Sequence, residues 1–77
     1  MNYQKKLLSM GFFQNDDGDF EINVQDINIV VSIFGSEHYN SSSSFKLWVY
    51  NYATEKEAIK LYKTFTSLIK QINKIIY

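Results

Sequence analysis

Five oxygen-bearing side chains crowd into seven residues: Asn15, Asp16, Asp17, Asp19 and Glu21. Clustered carboxylates suit a hard cation. Calcium, however, takes about six to eight oxygens from a loop whose glycine has a set place, and Gly18 does not fall there. The same residues explain themselves as a turn, since Asn and Asp side chains bond their own backbone and glycine accepts positive φ. No metal site is expected. Asp16, Asp17 and Asp19 are read instead as an acidic patch open to a basic partner surface. His38 is the only histidine and stands beside Glu37 in a polar stretch ending in four serines. Acid–base catalysis needs a positioned pair in a pocket, and a serine nucleophile needs a setting such as G-x-S-x-G. Neither pattern occurs. The chain also has no Cys, hence no thiolate nucleophile, thiolate zinc site or disulfide framework. Residue types therefore point away from an enzyme and from a bound cofactor.

The cations are more suggestive. All eight are lysine. Arginine is the usual residue for bidentate phosphate and guanine contacts, so its absence weakens a nucleic-acid reading. Even so, Lys56, Lys60, Lys63, Lys70 and Lys74 recur, with Ser67, at helical steps of three or four. Residues 1–44 carry two Lys against six acids, and residues 45–77 six Lys against two acids. The chain is a charge dipole of zero sum. A basic helix face attracts phosphate. It is also what the solvated side of any amphipathic helix looks like, and the second reading is preferred. A small nucleic-acid-binding domain stands as the alternative function.

The elements that position these groups follow from periodicity. Residues 2–10 place Tyr3, Leu7, Leu8 and Met10 at helical spacing, and Gly11 suits a left-handed cap. Residues 12–14 form a short extended piece before the 15–18 turn. Phe20, Ile22 and Val24 alternate with Glu21 and Asn23, as in a half-buried strand. Gln25-Asp26 separates this strand from 27–33, so Val24 and Ile27 oppose each other. Phe20, Ile22, Ile27, Ile29, Val31 and Ile33 then share one face, here called face A. Residues 35–44 are a polar loop, and 45–52 a further strand. Thr54 with Glu57 is a capping-box pattern. The apolar positions 58, 61, 62, 65, 68, 69, 72, 75 and 76 predict one long amphipathic helix to about Ile75. The expected fold is one α+β domain over residues 1–77: an antiparallel sheet of three to four strands, a short N-terminal helix and a long C-terminal helix, in the order α-β-β-β-α. The long helix should cover face A through Leu61, Phe65, Leu68 and Ile72.

The opposite face, face B, is then the informative one. It carries Glu21 and Asn23 on one strand, Asn28, Val30, Ser32 and Phe34 on the next, and Lys46, Trp48 and Tyr50 on the third, with Tyr52 if that strand continues. One end is polar and the other aromatic. With both helices on face A, Val30, Phe34, Trp48 and Tyr50 are exposed together, and Trp and Tyr are enriched at binding hot spots. These four are the expected apolar anchors for a protein partner, with Asp16, Asp17, Asp19 and Glu37 as a polar rim. Two other readings compete. The N-terminal helix could pack there through Tyr3, Leu7 and Leu8, or a second copy could make face B the seam of a structural homodimer.

At 77 residues with 45% hydrophobic content, the chain allows one domain with a small core and a margin of about 3–5 kcal/mol. It is too apolar and too neutral for a disordered tail. No apolar run nears the ~18 residues of a membrane span, and no signal-peptide pattern opens the chain, so a cytoplasmic protein without membrane contact is expected. Asn, Lys, Ile, Tyr and Phe make up 36 of 77 residues, the codon bias of a low-GC bacterium or its phage. The α-β-β-β-α order resembles double-stranded-RNA-binding domains, with Lys56-Glu57-Ala58-Ile59-Lys60 similar to the lysine motif that begins their second helix. That resemblance implies RNA contacts from Lys56 and Lys60. The acidic 15–19 turn departs from it, because such a domain contacts the RNA minor groove from that loop. In size, charge and lack of catalytic groups the chain also resembles the small inhibitors of phages and mobile elements, anti-CRISPR proteins among them. That resemblance implies a non-catalytic inhibitor that occludes a bacterial host protein.

Overall fold

The computed structural model describes residues 3–33 and 45–76. Seven elements follow one another: α1 (Tyr3–Ser9), β1 (Phe13–Gln14), β2 (Phe20–Val24), β3 (Ile27–Ile33), β4 (Phe45–Asn51), β5 (Lys56–Tyr62) and α2 (Phe65–Ile76). The strands form a single antiparallel sheet in chain order, β1-β2-β3-β4-β5. The class is α+β with a helix at each end, and the sheet has five strands rather than three or four.

The local chemistry explains each junction. α1 ends in a Schellman motif: the Phe12 amide donates to the Leu7 carbonyl and the Gly11 amide to the Leu8 carbonyl, both at 3.1 Å. Gly11 sits at φ 100°, where a side chain is strained. A Cβ there would also meet Ile22 Cδ1 at 3.3 Å. The acidic turn is organised by Asn15, whose Oδ1 accepts from the amides of Asp17 and Asp19, each at 3.0 Å. β2 and β3 join through Gln25-Asp26, and Val24 opposes Ile27 as the alternation predicts. Gln25 takes φ 54° without being glycine or asparagine, with positive φ only at the first central residue, as the II′ class has it. In the β4–β5 loop, Asn51 Oδ1 accepts from the amides of Ala53 and Thr54, and Glu55 takes φ 57°.

Face A holds the core. Phe20, Ile29, Val31, Phe45 and Leu47 of the sheet are buried against Leu7 of α1 and Phe65, Leu68 and Ile72 of α2. Both helices thus lie on face A. Tyr3 ties them together, its ring 5.2 Å from Phe45 and 4.7 Å from Phe65.

The long C-terminal helix is corrected. Residues 56–62 are a strand paired along their whole length with β4, and the helix begins at Phe65. Its N-cap is Thr64, whose Oγ1 accepts from the Ser67 amide at 3.2 Å. Thr54 lies in the β4–β5 turn instead, and Glu57 on β5. Geometry explains the outcome. A helix over 54–75 would run about 33 Å, against about 23 Å for a seven-residue strand and about 18 Å for a twelve-residue helix. About 10 Å of it, nearly a third, would overhang the sheet. As a strand, residues 56–62 gain a full backbone ladder and set Ile59 directly opposite Trp48. Leu61, expected under the helix, is 49% exposed on face B. The five residues that carried the likeness to RNA-binding domains therefore lie in a strand, not at a helix start.

Candidate protein-interaction face

Antiparallel register assigns the faces, because directly opposed residues share one. Face B receives Phe13 from β1, Glu21 and Asn23 from β2, Asn28, Val30 and Ser32 from β3, Lys46, Trp48 and Tyr50 from β4, and Glu57, Ile59 and Leu61 from β5. No described helix covers it. The competing reading in which α1 packs there is overturned, since Leu7 is wholly buried in the face A core.

The polar half is a bonded network. Asn28 Nδ2 donates to Glu21 Oε2 at 2.9 Å and to Asn23 Oδ1 at 2.6 Å, and Asn15 Nδ2 donates to Glu21 Oε1 at 3.1 Å. Asn28 is only 4% exposed, and these bonds are what make its burial tolerable. Glu21 is thereby held by two asparagines.

The apolar half spans β4, β5 and the loop joining them. Trp48 and Tyr50 stack with ring centroids 5.8 Å apart, and Tyr50 meets Tyr52 edge-on at 4.9 Å. Beyond β4, the Tyr52 amide still donates to the Asp26 carbonyl at 2.8 Å, which fixes the far end of this aromatic row against the β2–β3 turn. The Trp48 indole N–H donates to Glu57 Oε1. Ile59 and Leu61 continue the patch on the edge strand. Tyr52 at 58%, Ile59 at 59% and Leu61 at 49% exposure leave large apolar side chains in water together. Scattered exposed hydrophobes need no explanation, but a contiguous set does.

Of the expected anchors, Val30, Trp48 and Tyr50 share this face. Phe34 and Glu37, with His38 and the serine loop, lie outside the described residues. The rim residues do not flank the anchors: Asp16, Asp17 and Asp19 sit in the β1–β2 turn, across the sheet from β4 and β5. Among the described residues no acidic or histidine cluster has the arrangement of a metal site. A helix through residues 56–62 turns Leu61 onto face A and gives Ile59 no role, so neither is expected on face B. The alternation Glu57-Ile59-Leu61, followed by a second capping residue at Thr64, is the signal that could have placed them.

The lysines do not form one helix face. Lys56 and Lys60 lie on β5, Lys63 in the turn after it, and Lys70 and Lys74 on α2. Lys56 and Lys60 share face A with Ala58 and Tyr62. Between β5 and α2 runs a groove of about 260 Å³, lined by Leu47, Val49, Ala58, Lys60, Tyr62, Gln71 and Ile75. The Lys60 ammonium stands 6.0 Å from the Tyr62 ring centroid. Among the described residues the buried Tyr62 hydroxyl has no hydrogen-bond partner, and desolvation raises its pKa above the ordinary tyrosine value.

Among the described residues no helix is long and apolar enough to cross a membrane. No protein-family model matches the chain, and no curated protein or solved structure matches it significantly.

Proposed function

We propose that this chain is a non-catalytic protein-binding module that docks a partner on the apolar half of face B. One observation supports the reading above the rest: Trp48, Tyr50, Tyr52, Ile59 and Leu61 form a continuous patch on the side of the sheet that neither helix covers. Trp48 and Tyr50 supply large, rigid contact area, which is how a few residues come to dominate binding energy. Mode of action follows from the lack of reacting groups. Such a module acts by occupying a surface, and the likeness to small phage inhibitors makes a bacterial host protein the partner and steric occlusion the effect.

Nucleic acid is the second reading. Aromatic side chains on an open sheet face stack single-stranded bases in other folds. Here face B pairs its aromatics with Glu21 and Glu57 against Lys46 alone, and repels a phosphate backbone.

The test is affinity capture from nuclease-treated lysate of a low-GC bacterium, with Tyr52→Ala and Ile59→Asp as controls. A single enriched protein, lost with both variants while their amide spectra stay dispersed, supports the reading. Capture that survives both substitutions, a homodimer held through face B, or nucleic acid alone recovered from an untreated parallel lysate would each overturn it.

A further inference from the structure

The sheet has two unlike edges. β1 is two residues long and lies beside the bonded 15–19 turn. β5 is seven residues long, has no Pro or Gly, pairs among the described residues only with β4, and is exposed from Lys56 to Leu61. A long unpaired edge is a template for another strand. Its side chains define what that strand can be. On face A, Lys56 and Lys60 flank the small Ala58, which opens onto the groove beside Gln71 and Ile75. Among the described residues no carboxylate pairs with either lysine. On face B, Ile59 and Leu61 are exposed.

We propose that the β5 edge takes up an extended, acidic segment of a partner protein by strand addition. Run antiparallel, that segment sets an apolar residue opposite Leu61, a carboxylate opposite Lys60, apolar residues opposite Ile59 and Ala58, and a second carboxylate opposite Lys56. The pattern is apolar-acidic-apolar-apolar-x-acidic. A second copy of this chain fits poorly. Antiparallel self-pairing in a continuous sheet puts the Lys56 and Lys60 of both copies on one face with no acid among them, and like charges across strands destabilise. The edge shares Ile59 and Leu61 with the face B patch and adds the outer backbone of β5 with Lys56 and Lys60 on face A. A Trp48→Ala variant removes the face B anchor and keeps both lysines, whereas a Lys56→Glu/Lys60→Glu variant changes the face A side of the edge and keeps the aromatic row, so the two readings fail separately.

The probe is the peptide acetyl-TLEVVTE-amide, titrated into isotope-labelled protein and followed through amide chemical shifts. Shifts are expected at residues 56–62 and at Gln71 and Ile75. The lysine analogue, acetyl-TLKVVTK-amide, should bind about tenfold more weakly, the scale of two partly exposed charge pairs. The Lys56→Glu/Lys60→Glu variant should reverse that preference, its own spectrum reporting that it is folded. Four results would overturn the proposal: no shift at millimolar peptide, equal response to both peptides, shifts centred on Trp48 and Tyr50, or β5 shifts that depend on protein concentration without peptide.

Discussion

Along β4 the side chains alternate between two fates. Phe45 and Leu47 point to face A and are each 3% exposed, whereas Trp48 and Tyr50 point to face B and stay half-open. Backbone geometry and strand partners are the same for both sets. What differs is the layer above. α1 and α2 both sit on face A, so apolar residues there join a core, and equally apolar residues on face B do not. Hydrophobic character alone therefore does not say whether a residue stabilises the fold or waits for a partner. Its register against the helices does.

Substitutions on the two faces sharpen this contrast. The largest effect is expected on face A. Leu68→Ala should cost about 2–5 kcal/mol, comparable to the whole margin of a domain this size, and leave the chain mostly unfolded in a urea titration. Trp48→Ala should cost only about 1 kcal/mol, for the lost stack on Tyr50 and the cross-strand contact with Ile59, while abolishing partner binding. A Trp48→Ala protein that unfolds outright would mean that face B is covered and the contrast is false. Thr64→Ala should cost about 1 kcal/mol as a lost helix cap, and Thr54→Ala no more than about 0.5 kcal/mol. Equal losses, or the reverse order, would restore a helix starting at residue 54. The smallest effect concerns Tyr62, whose hydroxyl is buried with no partner among the described residues. Tyr62→Phe should leave stability unchanged or raise it slightly. Because burial raises the folded pKa, the tyrosine's contribution is full below the ordinary value of about 10 and is lost as pH rises through the folded value. The stability difference between wild type and Tyr62→Phe should therefore widen in alkaline solution, checked by denaturation at a series of pH values.

Much of the fold was legible in residue order. Phe20-Ile22-Val24 and Ile27-Ile29-Val31-Ile33 announce two strands and their register, because one-residue slips would turn every apolar side chain outward. Gly11 after Met10 marks the end of α1, since positive φ suits few other residues. The open face was legible too, through Trp48 and Tyr50. The failure is confined to residues 54–64. There Ala58, Leu61 and Tyr62 fit a helical stripe by coincidence, and Thr54-Glu57 imitates its cap. Intrinsic propensity favours the helix, as Lys, Glu, Ala and Leu are good helix formers, and only the short alternation Glu57-Ile59-Leu61 speaks for the strand. The lysine stripe dissolved with that helix, which is why the face once available to phosphate is split between a strand edge and α2.

The sequence alone determined the strands β2, β3 and β4, the polar and aromatic ends of face B and the charge division between the two halves of the chain. These depend on alternation and composition, which a chain carries whatever it packs against. Tertiary structure decided that residues 56–62 pair with β4, that both helices lie on face A, and that Ile59 and Leu61 join Trp48 in the open. The physical reason is common to all three. Each is a choice among partners of similar local preference, and it is settled by which arrangement fills the sheet's backbone ladder and buries face A with helices short enough to fit.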